Sequence, residues 1–101
     1  MSDTNWIHHL TTAHFFEEHK ELTGNLLRMM RMLWQLSVAE AAHDTYVTPE
    51  TLLRLERGDF TTGNDTDAIF ELLELYRLDD KAAWRIIEGM ADHGVTAAHY
   101  A

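Results

Sequence analysis

The stretch from Leu36 to Gly58, LSVAEAAHDTYVTPETLLRLERG, is patterned as two short helices joined by a tight turn. Ser37 can cap the first helix, and Glu40 stands three residues further on, the spacing of a capping box. Thr48 can cap the second, with Pro49 at the first helical position, where its missing N–H leaves nothing unsatisfied. Gly58 supplies the stop. Val38, Ala41, Ala42, Val47, Leu52 and Leu55 fall on faces that can pack together, which leaves Glu50, Thr51, Arg54 and Arg57 toward solvent.

A helix pair of this size makes a helix-turn-helix unit, whose second helix commonly enters a DNA major groove. The segment resembles the phage-repressor and Cro-like (XRE-type) family. That family's pattern runs leucine-serine, a short alanine-containing helix, glycine-valine-serine, a reading helix, then glutamate-arginine-glycine. Leu36, Ser37, Ala42, Val47, Thr48 (for serine), Leu52, Leu55, Glu56, Arg57 and Gly58 match it without a gap. The resemblance covers about Asn25 to Asp80. It implies a pairing of Arg31, five residues before the leucine, with Glu56 of the reading helix. Two positions depart from the pattern. Tyr46 stands where the family has its turn glycine, so a positive φ there would be strained. Val38 stands where a polar residue often touches DNA.

Working outward, residues 1–11 read as a loose arm with Trp6, Ile7 and Leu10 as apolar points, followed by an amphipathic helix over Thr12–Leu22. Thr23-Gly24-Asn25 reads as a breaker, which puts a boundary between an N-terminal segment, 1–24, and the main domain, 25–94. Leu26–Gln35 is a strongly apolar helix with Leu27, Met30, Leu33 and Trp34. After the paired helices comes a polar loop, Asp59–Asp65, then a helix over Ala68–Leu78 with Ile69, Leu72, Leu73 and Tyr76 at helical spacing. Asp79 can cap a last helix from about Asp80 to Asp92, ended near Gly94, and the tail, 95–101, shows no periodicity. The expected fold is all-α: a compact bundle of about five helices containing a helix-turn-helix, plus one extra N-terminal helix.

The 101 residues suit one domain with a single core, and the absence of cysteine removes any disulfide framework or thiolate metal site. No apolar run approaches the ~20 residues of a membrane span, and the N-terminus lacks the basic start of a secretory signal. A cytoplasmic protein without a membrane partner is the expectation. The net charge of −9 opposes casual binding to phosphate, but it is unevenly distributed. Residues 1–24 hold one Lys/Arg against four Asp/Glu (−3), residues 25–58 four against four (0), and residues 59–101 three against nine (−6). A dimer can therefore present Arg28, Arg54 and Arg57 to duplex DNA from a neutral segment between acidic flanks.

On this basis the candidate DNA-binding residues are Ser37, Thr48, Glu50, Thr51, Arg54, Arg57, Thr61, Thr62 and Asn64. Arginine can read guanine bidentately and threonine can meet a methyl group or a phosphate; the loop residues Thr61, Thr62 and Asn64 would lie near the backbone, as the resemblance implies. Trp84, Ile87 and Met90 form an apolar stripe on the last helix, read either as core or as a homodimer face. His8, His9, His14 and His19 cluster, but their spacing does not gather ligands on one helix face, so no metal is expected. No cofactor is implied, and no nucleophile or phosphate loop argues for an enzyme. The expected function is a sequence-specific transcriptional regulator, a dimeric repressor or autoregulator. The alternative is a protein-binding module on the same scaffold (an antitoxin, inhibitor or co-regulator), favoured by the acidic balance and by Val38, Pro49 and Leu53.

Overall fold

Short-range capping chemistry sets the starts of three of the helices. Ser37 Oγ accepts from the Glu40 N–H at 3.0 Å while the Glu40 carboxylate accepts from the Ser37 N–H at 2.8 Å. Thr48 Oγ1 accepts from the Thr51 N–H at 3.1 Å, and Asp79 accepts from the Ala82 N–H at 2.7 Å. The computed structural model describes residues 2–93, with side chains from residue 10 onward. In chain order the helices are α1 (Ser2–Glu18), α2 (Lys20–Leu33), α3 (Val38–His43), α4 (Pro49–Glu56), α5 (Thr62–Leu75) and α6 (Asp80–Asp92). No strand occurs among the described residues, and none of these helices is long and apolar enough to cross a membrane. The side chains of Trp6, Ile7, His8 and His9, the stop at Gly94 and the tail lie outside the described residues.

The N-terminal third departs from the pattern of its sequence. Helix α1 starts at Ser2, so residues 2–11 are helical rather than a loose arm. The chain breaks at His19, where φ is −126°, and α2 then runs straight through Thr23-Gly24-Asn25, all three buried. Gly24 is therefore a contact, not a boundary. A Cβ at this position would sit 2.6 Å from the Glu56 carbonyl oxygen and 2.8 Å from that of Leu55, so only glycine lets α2 lie this close to α4. Glycine inside a helix costs about 1 kcal/mol relative to alanine, and the close approach is its compensation. The loop after α4 is also shorter than its composition suggests, because Thr62–Asp65 already form the first turn of α5.

Helix α2 packs on α4 and α6, α3 packs on α4, and α1 lies across α2, α5 and α6. Their common core contains Phe16, Leu26, Leu27, Leu52, Leu55, Phe60, Leu72, Tyr76 and Ile87, each almost fully buried. Burying a Leu or Phe side chain contributes about 1.5–3 kcal/mol, so this core dominates the stability. Leu33 and Trp34, at the end of this strongly apolar stretch, face out with 71% and 47% exposure, beside Met32 at 58%. Trp34 nevertheless donates its indole N–H to the Tyr76 carbonyl at 2.8 Å, tying the end of α2 to the end of α5.

The stripe on α6 is core. Ile87 is fully buried and Met90 is 7% exposed. Trp84 stacks on Phe15 of α1, with ring centroids 4.1 Å apart and planes 7° from parallel. Within the single chain this stripe is thus packed, with Phe15 of the N-terminal helix lying on Trp84. Helix α1 is held further by Phe16 against Phe70, and by Glu17, whose carboxylate accepts from both the N–H and the hydroxyl of Thr62 at the start of α5.

Candidate nucleic-acid interface

Helices α3 and α4 meet through residues 44–48, and the turn is made without a glycine. Tyr46 does not adopt a positive φ; among the described non-glycine residues only Gln35 and Arg77 do. Thr45 supplies the closure instead, donating its hydroxyl to the Ala41 carbonyl at 3.0 Å and accepting the Val47 N–H at 3.2 Å. Val47 is buried beneath the turn and Tyr46 stands 97% exposed above it.

The inner side of α4 is braced. Arg31 donates Nε–H to Glu56 at 2.7 Å and Nη2–H at 3.0 Å, and its Nη1 donates to the Leu36 carbonyl at 3.0 Å. Both side chains are well covered, 14% and 6% exposed. Hydrogen bonding to Glu56 holds the Arg31 guanidinium above its ordinary range, against the cost of burial. Together with the Gly24 contact, this pair sets the distance and rotation of α4 relative to α2.

The outer side carries Thr48, Pro49, Glu50, Leu53 and Arg57, all exposed, with Thr51 and Arg54 half-buried. Several expected site residues are engaged within the chain. Ser37 is occupied by its capping box. The Thr48 hydroxyl donates to that of Thr51 at 3.0 Å. Thr62 is bound to Glu17, and Thr61 gives its N–H to Asp65 at 3.1 Å. Asn64 is exposed in the first turn of α5, and among the described residues Glu50 and Arg57 form no ion pair.

Arg54 is placed differently from its expected outward projection. Its Nη2 donates to Asp65 Oδ1 at 2.8 Å, and its Nη1 donates to Asp65 Oδ2 at 3.1 Å and to the Asp59 carbonyl at 2.9 Å. The side chain is 35% exposed, while that of Asp65 is 6% exposed. Asp65 thereby gathers Arg54 and the Thr61 N–H at the elbow between α4 and α5. The Arg54 hydrogen bonds hold the Asp65 carboxyl below its ordinary range, and the same pairing raises Arg54. The sequence pattern places Asp65 only at the end of a polar loop; the signal available for its role is an Asp placed to accept at a helix start, eleven residues after an arginine.

The patch as a whole is mixed. Exposed Asp44, Glu50 and Asp59 lie among exposed Tyr46, Leu53 and Arg57. His14 and Glu18 approach to 3.9 Å on α1, but among the described residues no three His, Asp or Glu side chains are grouped to hold a metal ion. In comparisons with known proteins, no family model, no curated protein and no solved structure matches this chain.

Proposed function

We propose that α3, the turn and α4 form a helix-turn-helix unit and that the protein is a sequence-specific DNA-binding regulator. The observation that carries this is the asymmetry of α4. Its inner side is locked to α2 through Gly24 and the Arg31–Glu56 pair, while its outer side is open from Thr48 to Arg57. A short helix held rigidly and left uncovered on one side is the arrangement a groove-reading element needs. Pairing of two copies would let so short a helix read a longer site, through surfaces other than the covered stripe of α6. Selection of bound sequences from random duplex DNA tests the proposal directly: a recovered consensus supports it, and recovery of unbiased sequence at low salt removes it. On a recovered site, Arg54→Ala should cost about 1–3 kcal/mol and relax the choice at one base pair, whereas Arg57→Ala should weaken all sequences alike.

A second reading has its own support. Tyr46, in the turn, and Leu53, on α4, are exposed apolar groups in a segment that also exposes Asp44, Glu50 and Asp59. Aromatic anchors within a polar rim suit a protein partner. If no duplex is selected, Tyr46→Ala and Leu53→Ala are the variants to test for loss of a protein partner.

A further inference from the structure

The planar guanidinium of Arg54 has five N–H donors. Three are committed: both hydrogens of Nη1, to Asp65 and to the Asp59 carbonyl, and one of Nη2, to Asp65. The two that remain are Nε–H and the second Nη2–H, which lie side by side on one edge of the plane. That pair of parallel donors is the fork that matches two adjacent acceptors. An unanchored arginine must order its long side chain when it binds; this one is already ordered by a carboxylate that is itself held by the Thr61 N–H.

The geometry points to Asp65 as a positioning residue that fixes the plane of Arg54, so that its Nε/Nη2 edge meets the O6 and N7 acceptors of one guanine in the major groove. This rests on the DNA-binding proposal above and goes beyond it by naming the base and the residue that aims the reader. Because Asp65 cancels the charge of Arg54, the contact discriminates by donor geometry more than by attraction to phosphate. Arg57, without an ion-pair partner, is left as the nearby group for backbone contact.

The test uses duplexes that the wild-type protein selects from a random pool, resynthesised with 7-deazaguanine at each guanine in turn. That replacement removes the N7 acceptor and leaves pairing intact. With the wild-type protein, one guanine should show a loss of about tenfold. With Asp65→Asn, which keeps an acceptor for Thr61 but loses the charged fork, the loss at that guanine should shrink toward none while affinity for the unmodified duplex falls. Arg54→Met, which keeps the apolar stem and removes every donor, should lose the sensitivity in the same way, and it remains informative if Asp65→Asn folds poorly by thermal unfolding. A role for Asp65 confined to stability would leave the 7-deazaguanine loss undiminished in the folded variant. Tighter binding by Asp65→Asn with unchanged base preference would show that Asp65 withholds Arg54 and would overturn the inference. A selected site with no sensitive guanine would overturn it and leave DNA binding standing; failure to select any site would remove both.

Discussion

The two arginine–carboxylate pairs on α4 are chemically alike and do opposite things. Arg31 turns its Nε/Nη2 edge onto Glu56 and closes its remaining side against the Leu36 carbonyl, at 14% exposure. Arg54 turns its Nη1/Nη2 edge onto Asp65 and keeps the Nε/Nη2 edge unused, at 35% exposure. The first arrangement consumes the fork and makes a brace. The second leaves a fork available and makes a presented group. Which edge of the guanidinium faces the carboxylate separates a pair that uses up its donor fork from one that leaves a fork over, and counting ion pairs would miss the distinction.

The comparison breaks most visibly at Glu56. Removing one partner of a covered pair strands the other, so Glu56→Ala should lower stability by about 3 kcal/mol in urea or thermal unfolding. A loss near zero would mean that solvent replaces Glu56 and that the two pairs do not differ.

Gly24→Ala attacks the same brace through the backbone. The added Cβ falls 2.6–2.9 Å from backbone atoms of Leu55 and Glu56, which cannot rotate away. Overpacking of this kind costs about 1–3 kcal/mol, set against about 1 kcal/mol that alanine gains inside a helix. A net loss of about 1 kcal/mol, and up to about 2, is expected in denaturant unfolding, together with weaker binding to any selected duplex as α4 is pushed outward. A stabilised variant would show that α2 and α4 separate freely.

The smallest effect belongs to Asp65. Its carboxyl titrates lower when folded than the ordinary value of about 3.9. Its contribution is therefore complete above that pH and is lost as the pH falls through the folded value. Asp65→Asn should cost on the order of 1 kcal/mol at neutral pH, reduced by the solvent around Arg54, and the difference should shrink as the pH falls through the folded value. Glu17 and Glu40, also held low by hydrogen bonds from Thr62 and Ser37, would keep part of the acid dependence. Parallel stability curves for the two proteins across the acid range would place Asp65 outside the ion pair.

What was legible in the sequence was mainly local. Caps act over three residues, and Ser37 with Glu40, Thr48 before Pro49, and Asp79 can be read directly. The all-α character follows from them and from the helical spacing of Ile69, Leu72, Leu73 and Tyr76. Residues 25 apart, such as Arg31 and Glu56, are joined in sequence only through the family resemblance. Gly24 shows why distance matters: a glycine that ends a helix and one that admits a neighbouring backbone look identical until the neighbour is known. Asp65 raises the same problem for charge, since repulsion or pairing depends on which arginine reaches it. Helix α1 was the hardest part, because its apolar residues do not gather along one side at helical spacing. The stripe of Trp84, Ile87 and Met90 could not be assigned to core or dimer without placing that helix.

The seating of α1 also dictates an order of events during synthesis. Its partners, Thr62, Phe70 and Trp84, are all made after the helix itself. Phe15 therefore emerges well before Trp84, and Phe16 before Phe70, and contacts this distant in sequence form late. Helix α1 is made before the helices it packs on and settles only with them, and until then the nascent chain carries two phenylalanines short of their distant partners for chaperones or other chains to find.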